Sequence, residues 1–362
     1  MTRLLILIVL AGIIPFSMNA QVFINGSKAH IVSQGAPTVR VNGFDFVNDG
    51  EFNQKQGEFI LQSSKSEVYL EGKNTPTFAN FRLDVEGTLY TGTNLIVQKD
   101  FQIEKGEVDL QHSDLILPFN ESKLEGETIG NRILSSGTGE VVKYSIGEQI
   151  NDQNVGNLGL IFGQFDNTDT LVVRRGHSAL SVPFGESITR YYKVSTRKKA
   201  QDRLDLELEY FEDEVVTRDP DMVEQIWVLN DGEWDRTQAN IAQNNKLNGR
   251  AVKANLEIYE STITVGLYRR LIDISAIPNT FTPNNDGIND WFLIPGIEKL
   301  PNAEVKIYNV YGKLLYSSKD YLRSPWDGMN NGKLQPIGSY LYQVVDSTNP
   351  LEFIEGEINI IR

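Results

Sequence analysis

A chain of 362 residues with 40% hydrophobic and 10% aromatic residues is long enough for two or three domains and can bury extensive cores. Its formal net charge of −14 has the wrong sign for a general nucleic-acid binder, which sets cations against phosphates, so no nucleic-acid partner is expected. The lack of cysteine excludes disulfides, thiolate metal sites, a lipidated N-terminal Cys and a thiol nucleophile, leaving β-ladders and packing to supply stability.

Residues 1–20 read as a secretory signal peptide. Arg3 gives the positive start, Leu4 to Ile14 is a continuous apolar run, Pro15 breaks it, and Ala20 offers a cleavage point before Gln21. The run is shorter than the ~20 apolar residues of a membrane-spanning helix.

From 21 to 175 the pattern is short strands punctuated by Gly, Asn and Asp. Val39-Arg40-Val41, Phe81-Arg82-Leu83-Asp84-Val85 and Asn94-Leu95-Ile96-Val97 alternate apolar with polar, the period of a half-buried strand. A small unit, Gly-Glu-apolar, recurs at Gly50-Glu51-Phe52, Gly57-Glu58-Phe59, Gly106-Glu107-Val108 and Gly139-Glu140-Val141, at irregular spacing. Imperfect self-similarity among many short strands predicts a Gly-rich β-solenoid, with a β-sandwich as the alternative. Residues 176–270 predict a small antiparallel β-sandwich. Leu204-Asp205-Leu206-Glu207-Leu208-Glu209-Tyr210 alternates strictly, and Asn230-Asp231-Gly232 after Ile226-Trp227-Val228-Leu229 is a hairpin signal. Residues 271–277 read as a linker. Residues 278–362 are again all β, with strands expected at Val305–Tyr308, Leu314–Tyr316, Gly338–Val344 and Gly356–Ile360. This last block carries seven basic and ten acidic residues, so most of the −14 lies upstream of it.

Enzyme constellations are sparse. His30, His112 and His177 stand apart, without zinc spacing. Gly176-His177-Ser178-Ala179-Leu180 begins like a nucleophile elbow but has Leu180 at the second glycine position. Asp84 and Glu86, at i and i+2 on a strand, share a solvated face, as do the acids of 204–210. Arg197-Lys198-Lys199 with Arg203 offers a basic cluster for an acidic polysaccharide or other surface ligand, or simply a solvated hairpin tip. Asp169-Thr170-Leu171 matches a short O-glycosylation pattern that arises easily by chance. No catalytic residue and no obligatory cofactor are assigned.

The densest punctuation runs from Pro278 to Phe292. Asn284, Asp286, Asn289 and Asp290 place oxygen donors around Gly287, which makes calcium at Asn284, Asp286 and Asp290 a possibility, with Asx-turn bonding as the metal-free alternative. The ordered residues Pro278, Asn279, Phe281, Thr282, Pro283, Asn284, Asp286, Gly287, Asn289, Asp290 and Phe292 resemble the type B C-terminal sorting domain of the type IX secretion system, also called the gliding-motility-associated C-terminal domain. The match continues through Val305, Ile307, Tyr308, Asn309, Gly312, Trp326, Asp327, Gly328, Pro336, Gly338, Tyr340 and Tyr342. Val310-Tyr311 departs from the Arg-Trp often found before the glycine at 312. The resemblance implies an Ig-like β-sandwich, a Bacteroidota-type cell envelope, Sec export to the periplasm and then passage to the cell surface. It also implies the type IX translocon as partner, with a PorP/SprF-like outer-membrane protein retaining the cargo. The expected whole is a non-enzymatic adhesion, structural or surface-binding protein. The alternatives are a secreted carbohydrate-active solenoid enzyme and an accessory of the secretion or gliding machinery.

Overall fold

The Gly-Glu-apolar unit is a corner followed by the start of a strand. A Cβ on Gly57 would lie 2.1 Å from Pro37 O, and one on Gly139 would lie 2.3 Å from Ser113 O, so only glycine lets successive layers of backbone approach this closely. The apolar residue of each unit, Phe52, Phe59, Val108 or Val141, points into the core and is buried. In the computed structural model the described residues are 22–362 except 34, 151–152, 183–184, 197–203, 217–221, 237–239, 245–248, 257–258, 270 and 347–352. The signal peptide expected at 1–20 and the basic cluster of Arg197, Lys198, Lys199 and Arg203 lie outside the described residues.

The corners separate three parallel faces. The first turn of the coil is β1 (Val22–Asn25), β2 (His30–Val32) and β3 (Thr38–Asn42). The second is β4 (Asp45–Asn48), β5 (Glu51–Asn53) and β6 (Glu58–Ser63). The third is β7 (Glu67–Glu71), β8 (Thr77–Phe78) and the start of β9 (Phe81–Thr91), which bends at Gly87 onto the next turn. β10 (Leu95–Val97), β11 (Asp100–Asp109), β12 (Leu115–Leu117), β13 (Lys123–Glu125), β14 (Ile133–Leu134) and β15 (Val141–Ile150) continue the winding. Each strand pairs in parallel with its counterpart one turn on: Val39 with Phe59, Phe59 with Phe81, Phe81 with Phe101, and Phe101 with Leu124. This is a β-solenoid, so the sandwich alternative for this region gives way. Parallel register stacks like on like, and the Phe81 and Phe101 rings lie 4.9 Å apart at 2°. Burying one such ring stabilises by about 1.5–3 kcal/mol.

The solenoid passes into antiparallel sheet without a break in its core. The following strands are β16 (Gln153–Asn154), β17 (Leu160–Phe162), β18 (Phe165–Gly176), β19 (Ser181–Val182), β20 (Gly185–Thr196) and β21 (Leu204–Phe211). They lead to β22 (Met222–Asn230), β23 (Glu233–Arg236), β24 (Asn240–Asn244), β25 (Gly249–Leu256) and β26 (Glu260–Arg269). β15 pairs in parallel with β12 on one side and antiparallel with β18 on the other, and the sheet runs on through β20, β26, β22 and β23. A second sheet has the order β16-β17-β21-β25-β24. Residue 175 falls inside β18, and one hydrophobic cluster extends from Val41 to Val265. The change of character near 176 is therefore a change of pairing partner, with the core continuous across it. In β21, Leu206, Leu208 and Tyr210 are buried, as the alternation requires. The hairpin at Asn230 closes with Asp231 and Gly232 both at positive φ, as a two-residue turn demands.

Residues 269–362 form a second compact unit. Its strands are β27 (Thr280–Phe281), β28 (Ala303–Asn309), β29 (Leu314–Ser318), β30 (Met329–Asn330), β31 (Lys333–Leu334), β32 (Gly338–Asp346) and β33 (Phe353–Ile360). The main sheet has the order β27-β33-β32-β28-β29, and β30 pairs with β31. Residues 271–277, expected as a linker, instead belong to this unit's core: Ile272 is fully buried, and Leu271, Ile274 and Ile277 pack against the same cluster. Four apolar side chains close to the first strand have more to gain from that core than from water. Among the described residues no helix is long and apolar enough to cross a membrane.

Candidate functional site

The site singled out by sequence, 278–292, is a self-bonded loop at the entrance of the second unit. Asn279 O accepts from Asn359 N at 2.9 Å, which sets the chain beside β33. Phe281 and Pro283 point inward, and the loop from Asn284 to Asn289 is exposed. Its organiser is Asp290, 6% exposed. Asp290 Oδ1 accepts from Asn284 N at 3.0 Å and Asn285 N at 2.5 Å, and Oδ2 accepts from Gly287 N at 2.7 Å. Asn284 Oδ1 accepts from Asp286 N, and Asp286 Oδ1 accepts from Ile288 N. Asn285, Gly287 and Asn289 take positive φ, which Asn and Gly tolerate at least cost. Desolvation pushes the Asp290 carboxyl upward, but the backbone N–H groups of Gly287, Asn285, Asn284 and Asp286 outweigh it and hold the group below the ordinary Asp range.

These contacts decide how the loop's oxygens are used. Both oxygens of Asp290, both of Asp286 and the amide oxygen of Asn284 face N–H hydrogens, the opposite of a cage of lone pairs converging on a cation. The donor set does not fit calcium, and Asx-turn bonding accounts for the same residues. Among the described residues there is no group of three or more His, Asp or Glu arranged to hold a metal.

The downstream motif residues converge on this loop. Phe281, Phe292, Trp326, Tyr340 and Tyr342 are all buried, with ring centroids at 5.4 Å (Phe281–Trp326), 5.1 Å (Phe292–Tyr342) and 5.2 Å (Trp326–Tyr340). Phe292 N donates to Trp326 O at 2.8 Å, so the two aromatic motifs are also joined through backbone. A Cβ on Gly328 would sit 2.9 Å from Pro283 Cγ, which explains the glycine in Trp326-Asp327-Gly328, while Asp327 accepts from Met329 N. Tyr308 is half-buried on β28, and Gly312, at φ 78°, closes the β28–β29 turn. Gly338 opens β32, and Pro278 is exposed ahead of β27. Most of the motif thus builds the unit, and its exposed members are Pro278, Asn279, Asn284, Asp286, Gly287, Asn289, Gly312, Pro336 and Gly338. Tyr321, which no motif flagged, completes the cluster: it is buried and donates to Phe292 O at 2.7 Å.

The other candidates are scattered. Asp84 accepts from Gln62, Glu86 pairs with Lys105, and Arg82 bridges Glu58 and Glu104, all between successive turns of the solenoid. His30 meets Glu51, His112 meets Thr138, and Ser178 lies in the loop between β18 and β19. Thr170 is half-buried within β18, mid-strand.

One cluster had no sequence signal. Arg175, fully buried on β18, makes a two-pronged bond to Glu127 at 2.7 Å and 2.7 Å. Arg190 on β20 bonds Glu214 at 3.0 Å and 2.8 Å, and Tyr192 OH donates to Leu158 O. Burial drives the Glu127 carboxyl up, but Arg175 reverses this and keeps it low, hence ionised. His177 beside them is held well below its ordinary value, first by burial and then by the charges of Arg175, Arg190 and Arg132. Arg175–Glu127 joins the last turn of the solenoid to β18, and Arg190–Glu214 joins β20 to the turn that follows β21. Their members come from residues 48 and 24 positions apart, and no local pattern announces such a pairing.

Residues 275–356 match the CHU_C Type IX secretion signal domain family. No curated protein and no solved structure matches the chain. The second unit therefore contains a Type IX secretion signal domain, a non-catalytic sorting module that marks the protein for export to the cell surface or beyond.

Proposed function

We propose that this is a non-enzymatic surface protein, in which the solenoid and its antiparallel extension are the cargo and the 275–356 signal domain is the address. The observation that carries the reading is the coincidence of the family match with a separate compact unit that has its own aromatic core. An address needs to fold as a unit regardless of what precedes it. The domain plan is a signal peptide at 1–20, a solenoid from 21, a sandwich-like pair of antiparallel sheets to about 268, and an Ig-like sandwich at the C-terminus. Adhesion or a structural role in the envelope suits the cargo better than glycoside hydrolysis. The paired acids Asp84 and Glu86 are engaged by Gln62 and Lys105, and Glu58 and Glu104 by Arg82, whereas that chemistry needs two carboxyls free to face one sugar ring.

The translocon is the partner of the signal domain, and a PorP/SprF-like outer-membrane protein is the partner that retains it. Recognition falls to the exposed loop 284–289 and its neighbours, held in shape by Asp290, Phe281, Phe292 and Trp326. An extracellular polysaccharide is the candidate ligand of the cargo. The test is deletion of 269–362 in a bacterium with a type IX system. The shortened protein is expected to accumulate folded in the periplasm, and its normal appearance at the surface overturns the reading.

A further inference from the structure

The two ends of the solenoid are finished differently. At the far end, β15 turns into antiparallel sheet, and the turn Val155–Asn157 lies against β13, with Val155 and Leu158 buried. At the near end, β1, β2 and β3 pair only with β4, β5 and β6 among the described residues, so three strand edges lie open side by side. Inside them Phe23, Ile31 and Val39 are only partly buried against the core, and outside them Val22, Ile24 and Val32 are exposed. Stacked-repeat folds need a terminal repeat with a polar outer face, and free edges are usually blunted by charge, proline or a bulge. β1 and β2 contain neither Lys, Arg, Asp, Glu nor Pro, and the registers of β1–β4 and β2–β5 are unbroken.

A second observation points the same way. Asn25, 1% exposed at the end of β1, spends its amide donors on the next turn, at Asn48 Oδ1 (2.7 Å) and Glu51 O (3.0 Å). Its Oδ1 is buried with no donor. Asn48 repeats the pattern one turn on, donating to Asn74 O while accepting from Asn25. The ladder is thus cut at the open end, with an acceptor left for a layer that would stack on the first turn.

We propose that this layer is the first turn of a second copy, so that the exported protein is a head-to-head dimer. This rests on the reading of 1–20 as a removable signal peptide, which leaves Gln21 alone between the cleavage point and β1. The strands of one turn all run the same way round the coil. A twofold axis perpendicular to the solenoid therefore brings edges together antiparallel and closes the assembly. The uncharged β1 sits on the axis against its own copy, and β2 faces β3 of the partner. Only Lys28 and Arg40 carry formal charge between 22 and 44, so both ends are mildly basic and salt should strengthen the pairing. An acidic partner at the same edge would show the reverse.

The test is sedimentation of the chain from Gln21 onward, at low and high salt. The expected species has twice the mass of one chain, and Ile24→Glu, on the outward side of β1, weakens association at least about tenfold while leaving the circular dichroism unchanged. Since the protein has no cysteine, Ile24→Cys should oxidise to a covalent dimer through the axis. A monomer at micromolar concentration, or a dimer indifferent to Ile24→Glu and uncrosslinked by Ile24→Cys, overturns the proposal. Protection of the β1 to β3 edge amides from exchange in a monomer also overturns it, and assigns the edge to a segment of the same chain.

Discussion

Asp290 shows how one side chain can set a loop. Its carboxylate takes three backbone N–H groups that would otherwise point at nothing in an exposed turn, and those donors hold its ionisation below the ordinary range. The folded group releases its proton more easily than the unfolded one. Its contribution to stability is therefore complete above the unfolded Asp value and is lost as pH falls through the folded value. Acid should unfold the 269–362 unit along that slope, and Asp290→Asn should lower its melting temperature at neutral pH by several degrees and flatten the acid limb. Calorimetry across pH checks both. His177 works in the same direction for a different reason. Half-buried, with its Nε2 enclosed and three arginines near it, it stays neutral in the folded state, so the unfolded chain gains a proton that the folded chain refuses as pH drops below about 6.5. The first compact unit, which ends at Tyr268, should lose stability with a slope approaching ~1.4 kcal/mol per pH unit just below that point. His177→Asn should remove the slope; an unchanged pH profile contradicts this account.

At the scale of elements, the solenoid rests on its stacked phenylalanines and its glycine corners. Phe81→Ala opens a cavity between Phe59 and Phe101 and should cost about 3–5 kcal/mol, read as a drop in denaturation midpoint. Gly106, at φ 95°, would place a Cβ 2.5 Å from Val85 Cγ2, so Gly106→Ala should cost about 1–3 kcal/mol from backbone strain alone. The parts legible in the sequence are those with local physics: alternation in β21, the Asp231-Gly232 hairpin, the Gly-Glu corners and the Asx-rich loop. The sequence left solenoid and sandwich open because both use short alternating strands, and only long-range register, such as Phe59 over Phe81, separates them. The buried pairs Arg175–Glu127 and Arg190–Glu214 were invisible for the same reason: the partners share no strand. Breaking one is costly because it strands a buried charge, and Glu214→Gln should cost about 3–5 kcal/mol.

At the scale of the molecule, the chain consists of a long core from Val41 to Val265 and a second, aromatic core of its own from Ile272 to Ile360. Separate cores predict separate unfolding: Trp326→Ala should shift one calorimetric transition and leave the other in place. They also suit the proposed division of labour, in which the export address does not depend on its cargo's packing. The most direct test transplants the address. Residues 269–362 are fused behind a fluorescent protein already exported to the periplasm of a bacterium with a type IX system, and external protease or antibody reports its position. The fusion is expected to reach the outside of the cell, and the same fusion to stay in the periplasm when the type IX machinery is deleted. A folded fusion retained in the periplasm of the intact strain would contradict this.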